Sequence, residues 1–189
     1  MRTLIIAGLT SLLLAACETT PKMQVEPEPT YEEARNHPLR QANYTAVDQL
    51  LKQVAPPSTT SNRPGSGESP LIVATLANIN ALEQSSTLGR FISEQVASRA
   101  TQLGRSVVEL KVRNGIYIKR NEGEFLLTRE IKEVAAAHKA QGVIVGTYAE
   151  SATFVHVTLK VIDPATSLVI AAHDYSLPLD RHIKSMLKK

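Results

Sequence analysis

One cysteine in 189 residues constrains this chain more than any other feature of it. Without a second thiol, neither an intramolecular disulfide nor a Cys-based metal site can form. The fold must be held by its apolar core. The place of that cysteine is equally informative. Arg2 supplies a positive start, Leu4 to Leu14 is an apolar run too short to span a bilayer, and Ala15-Ala16 leads into Cys17. This is the layout of a secretory signal over residues 1–16 with its cleavage site. No later run reaches the roughly 18 apolar residues of a transmembrane helix. The remaining 173 residues are expected to form one exported domain, or one domain with a tail.

The stretch Leu14-Ala15-Ala16-Cys17 resembles the lipobox of bacterial lipoproteins. The resemblance implies cleavage just before Cys17, then acylation of its sulfur and its amine. Several acyl chains anchor stably, because each buried CH₂ contributes about 0.8 kcal/mol and one chain alone is marginal. An ordinary signal followed by a free cysteine is the plainer alternative. Glu18 stands where inner-membrane lipoproteins of the enteric type carry Asp, so the resemblance points to the outer membrane.

Residues 17–38 read as a tether. Pro21, Pro27 and Pro29 interrupt it, and Glu26, Glu28, Glu32 and Glu33 make it acidic. Such a composition buries too little apolar surface to fold alone and is expected to be disordered. Residues 39–55 read as a helix, because Tyr44, Val47, Leu50, Leu51 and Val54 recur at three- and four-residue steps. Pro56-Pro57 ends it, and residues 56–69 form a Ser-, Thr-, Gly- and Pro-rich linker. A helix set apart by a linker either folds back on its domain or waits for a partner; the pattern leaves both open.

The compact domain is expected over residues 70–189. Leu71 to Leu76 is nearly all apolar, as in a strand buried on both faces, with Asn78 and Asn80 in a loop beyond it. Ser85 or Ser86 caps a helix striped by Leu88, Phe91, Ile92, Val96, Ala100 and Leu103 and stopped at Gly104. A second strand follows over Arg105–Val112, with Val107 and Val108 in the core. Ile116, Tyr117 and Ile118 suit a short strand or a docked loop. Thr128 caps another helix carrying Ile131, Val134, Ala135 and His138, and Val143 to Tyr148 is a third buried strand. Thr153 to Val161 alternates with period two, Asp163 to Thr166 turns the chain, and Leu168 to Tyr175 returns. Arg181 to Lys189 reads as a basic helical tail. The order gives an α/β (α+β) sandwich: a mixed sheet of about five strands with helices packed on it, preceded by a lipidated tether.

No catalytic constellation stands out. His138, His156 and His173 lack metal-ligand spacing, although His156 and His173 are placed to face each other across the final hairpin. Ser85 and Ser86 lie outside any Gly-x-Ser-x-Gly elbow. No phosphate-binding glycine motif occurs, and no cofactor is implied. Glu122 and Glu124 straddle Gly123 and have the chemistry of an acid–base pair, as in an envelope hydrolase, but loop carboxylates are commonly just solvated. The formal charge of +3 is modest, and Trp is absent, which argues against nucleic-acid binding. The densest polar cluster is Tyr117, Arg120, Asn121, Glu122 and Glu124, extended by Arg129. It is the first candidate for a partner-binding loop; a solvated loop crossing the sheet edge is the plainer reading.

Several segments together resemble the FlgO family of flagellar outer-membrane lipoproteins. They are Ser85-Ser86-x-Leu88-Gly89-Arg90, Asn121-Glu122-Gly123-Glu124-Phe125, Thr128-Arg129-Glu130, Val145-Gly146-Thr147-Tyr148, Val161 to Thr166 and Asp174 to Asp180. Thr128 stands where Ser is the commoner residue. The resemblance spans roughly Pro70 to Asp180. It implies a non-enzymatic component of a ring around the flagellar basal body, supporting motility. The implied partners are outer-membrane lipid through acylated Cys17, other ring or basal-body proteins, and further copies of the chain. The implied location is the outer membrane, with a periplasmic domain. The alternative is a lipoprotein module that regulates a peptidoglycan synthase or another envelope machine.

Overall fold

The structure is a computed structural model that describes residues 30–55, 69–82, 84–109, 117–119, 125–127 and 129–187. Cys17, the signal, most of the tether, residues 56–68 of the linker, and Arg120, Asn121, Glu122, Glu124 and Thr128 lie outside the described residues.

Two helices come first, α1 (Tyr31–Asn36) and α2 (Leu39–Leu51). The strand β1 (Leu71–Val73) is buried throughout, as its unbroken apolar run requires. It stops earlier than its composition suggests. At Leu76 the backbone leaves the ladder, and side chains satisfy it: Ser93 Oγ accepts from Leu76 N–H (2.9 Å) and Ser85 Oγ donates to Leu76 C=O (2.7 Å). The chain then makes β2 (Ala77–Asn78), so Asn78 belongs to a strand and only Asn80 to the turn.

The helix α3 (Thr87–Gln102) begins at Ser86, whose hydroxyl accepts from Gly89 N–H (3.2 Å), and ends before Gly104 at φ +80°. Its inner stripe is Leu88, Ile92, Val96 and Ala100. Phe91 and Leu103, placed in the same stripe by spacing, are 40% and 42% exposed. After β3 (Val107–Glu109), a hairpin pairs β4 (Tyr117–Lys119) with β5 (Phe125–Leu127). Then come α4 (Arg129–Ala137), β6 (Gly142–Glu150), β7 (Phe154–Ile162), β8 (Val169–Pro178) and α5 (Arg181–Leu187).

Five strands run in the order β3-β1-β6-β7-β8, and β2 adds to β6 as a sixth. β1 lies parallel to β3 and β6; β7 and β8 are antiparallel additions. One face, built from Leu71, Val73, Ile144, Val157 and Leu159, packs under α2, α3 and α5. The other buries Ile72, Val143 and Val145 under Ile131 and Ala135 of α4. β7 shows its period-two pattern: Val155, Val157, Leu159 and Val161 are buried while Phe154 and His156 are exposed.

The final hairpin departs from its expected register. A four-residue turn over Asp163–Thr166 would pair Ile162 with Ser167 and bring His156 opposite His173. The connection instead runs from Asp163 to Leu168, with Ser167 at φ +63°, and a bulge follows at Val161/Ile162. Each step shifts the partner strand. His156 therefore faces Ser176 (Nδ1 to Oγ 2.9 Å), and His173 pairs with Leu159.

Candidate functional site

The helix left open by its pattern docks on the domain. Val47, Leu50, Leu51 and Val54 of the α2 segment are buried against α3 and β8. Burial alone would let such a helix slide, and polar contacts fix its position. Asp48 takes Arg99 of α3 in a two-pronged ion pair (2.7 and 2.8 Å), with the guanidinium 5.4 Å from the Tyr44 ring centroid. The Arg99 hydrogen bonds hold the Asp48 carboxyl below its ordinary range. Asn43, fully buried, donates to Gln95 on α3 (2.6 Å) and accepts from the Tyr175 hydroxyl on β8 (2.5 Å). Burial raises the Tyr175 phenol well above its ordinary value, so it stays a donor.

Two further contacts use α2 to finish the sheet. Gln53 donates to Ala172 C=O (2.9 Å) and accepts from Ala172 N–H (3.3 Å). Its amide thus occupies backbone groups of an edge strand, the groups through which sheets aggregate. Arg105 donates to Val54 C=O (3.1 Å) and Ala55 C=O (2.7 Å), tying the end of the α2 segment to the start of β3.

N-terminal to α2 lies the junction with the expected tether. α1 carries a complete capping box. Thr30 Oγ1 accepts from Glu33 N–H (3.3 Å) and Glu33 Oε2 accepts from Thr30 N–H (2.7 Å), which lowers the Glu33 carboxyl. None of its residues is buried, and Tyr31 is 75% exposed. The next residue, His37, is the clasp. Its Nδ1 accepts from Leu39 N–H (3.1 Å), so Nε2 carries the proton and donates to Asp180 Oδ2 (2.6 Å). Asp180 also accepts from Ile183 N–H (3.0 Å) at the start of α5. Burial raises the Asp180 carboxyl, but the Ile183 and His37 hydrogen bonds outweigh it and leave the group below its ordinary range.

Of the polar cluster marked in the sequence, the structure places two members. Tyr117 lies on β4 opposite Leu127, two residues before Arg129 at the head of α4. The register therefore brings their backbones to the open end of this separate two-stranded hairpin, away from the β4–β5 connection. Arg129 is exposed and pairs with Glu133 (2.8 Å). Among the described residues, no group of three His, Cys, Asp or Glu side chains is placed to hold a metal, and no helix is long and apolar enough to cross a membrane.

A family model described as "FlgO protein" matches residues 44–182, most of the chain. The chain belongs to the FlgO family. The FlgO match begins inside α2, in agreement with a domain that includes this helix. Among solved structures, the chain is similar to the LpoB C-terminal domain from Escherichia coli (12% identity, TM-score 0.47). That match covers 74% of this chain and 97% of the other. The same domain from Salmonella enterica gives 13% identity and TM-score 0.46, with 74% and 97% covered. A PelC dodecamer from Paraburkholderia phytofirmans gives 16% and 0.43, with 65% and 80% covered. No curated protein matches the sequence significantly.

Proposed function

We propose that this FlgO-family chain is an outer-membrane lipoprotein that assembles into, or stabilises, the flagellar ring in the outer membrane, and so supports motility. The family match over residues 44–182 carries the reading. Acylated Cys17 is the anchor, the Pro- and Glu-rich segment gives reach, and the α/β domain makes the protein contacts. The tether raises the local concentration of partners, so individual contacts can be weak. The role is one of binding and assembly. Ser85, Ser86 and Ser93, grouped where Leu76 meets α3, have their hydroxyls engaged by backbone groups of α3 and Leu76. The β4–β5 hairpin, with the sequence cluster Arg120, Asn121, Glu122 and Glu124 between its strands and Arg129 after it, is the surface for ring or basal-body partners.

The test is Cys17→Ser expressed in place of the native chain, read by membrane fractionation and swimming. The account expects loss from the outer-membrane fraction together with impaired swimming. Normal anchoring of the variant refutes lipidation at Cys17.

A further inference from the structure

One face of the sheet is half covered. α4 shields β1 and β6, while on the same face of β7 and β8 Phe154, His156, Ala172, Asp174 and Ser176 are exposed. A half-open trough of about 270 Å³ lies at the boundary, walled by Val145, Ile162 and Val169, with exposed Ile79 at its rim. Lys160 and the cross-strand pair Thr147 and Thr158 also line it. All three are half-buried. Among the described residues, neither the Lys160 ammonium nor the two hydroxyls has a side-chain or backbone partner. An ammonium with no ion pair within 4 Å, beside two hydroxyls and between apolar walls, suits a carboxylate on a short apolar segment, with Asp174 on the next strand the one acidic neighbour on this face among the residues just named.

The chain itself carries such a segment, Val25-Glu26-Pro27-Glu28-Pro29. Its own tether, however, leaves the domain from the other face of the sheet. Glu33 lies within electrostatic range of Arg181, and His37 is held at Asp180, beside α5 on the opposite face of the sheet. The trough lies near Ala172, the partner of Lys160, roughly 25 Å along the extended chain from Asp180. We propose that the trough takes the Val25–Pro29 segment of a second copy, so that each domain holds its neighbour's tether. Such a contact joins two different surfaces and propagates from copy to copy. Prolines lower the ordering cost of docking.

The proposal goes beyond the flagellar reading and is tested without it, on purified chain. A nitroxide is placed at Gln24→Cys in a Cys17→Ser chain, and this chain is mixed with isotope-labelled Cys17→Ser chain. Only contacts between copies then broaden the observed signals. At about 1 mM, the effective concentration a short tether supplies, broadening is expected at Val145, Thr147, Thr158, Ile162 and Val169. It should be lost when the spin-labelled chain carries Glu26→Gln and Glu28→Gln, and when the observed chain carries Lys160→Met. The glutamate changes lie outside the family-matched residues 44–182, so they keep the test valid even if Lys160→Met perturbs the fold. No broadening at the trough, or broadening indifferent to the glutamate changes, overturns the proposal.

Discussion

His37 donates to Asp180 across 2.6 Å although 143 residues separate them, and this bond closes the N-terminal strap onto the last helix. The His182 ring lies 4.7 Å from that of His37. Burial, and then the neighbouring His37, lower the His182 pKa below its ordinary value near 6.5, against a weaker pull from Asp180. The folded state therefore binds a proton at His182 less readily than the unfolded chain.

The sign of the pH effect follows. Stability from His182 is present above about pH 6.5 and declines as pH falls toward the lowered folded value. Thermal melts from pH 7.5 to 5 should show a falling midpoint, and His182→Gln should flatten that slope. An unchanged slope in the variant contradicts the assignment. Below that window, stability from Asp180 is lost as pH falls through its lowered value.

Leu50, with no exposed surface, tests whether α2 belongs to the cooperative domain. Leu50→Ala should cost about 2–5 kcal/mol in denaturant unfolding, the usual range for a filled core position. A cost near zero would mean that α2 is not docked.

Much of the core was legible from period and punctuation. The α2 stripe, the Ser86 cap, the Gly104 stop and the alternation in β7 are local signals, and each is where its pattern puts it. The docking of α2 was not legible. It depends on Asn43, Asp48 and Gln53, polar residues whose partners lie 51 to 132 positions away. The His37–Asp180 clasp likewise has no spacing signature. The His156–His173 pairing failed because loop length sets hairpin register, and the longer connection and bulge moved His156 onto Ser176. Of the candidate partner loop, Tyr117 and Arg129 have a place in the fold, and neither local pattern nor register speaks to its central residues.

Gly89 is required by close approach. A Cβ there would meet Ser85 Oγ at 2.6 Å, Leu76 O at 2.7 Å and Tyr148 Cε1 at 2.9 Å. Gly89→Ala should destabilise by about 1–3 kcal/mol through overpacking, read as a lower denaturation midpoint. A neutral effect would mean that the start of α3 shifts freely against Leu76.

Tyr175→Phe removes the hydroxyl donor to Asn43 Oδ1, a buried acceptor. The expected cost is about 1–3 kcal/mol, the penalty for an unsatisfied buried polar atom. Asp48→Asn should lower the midpoint less, and the difference from wild type should shrink in high salt. A Tyr175→Phe chain as stable as wild type would show that water reaches Asn43.

The central claim is a place in the flagellar ring of the outer membrane. The most direct measurement is to isolate basal bodies with their outer-membrane collars and detect this chain in them immunologically. The account predicts enrichment in the collar fraction that is lost in Cys17→Ser. Collars that are complete yet contain none of the chain would contradict it.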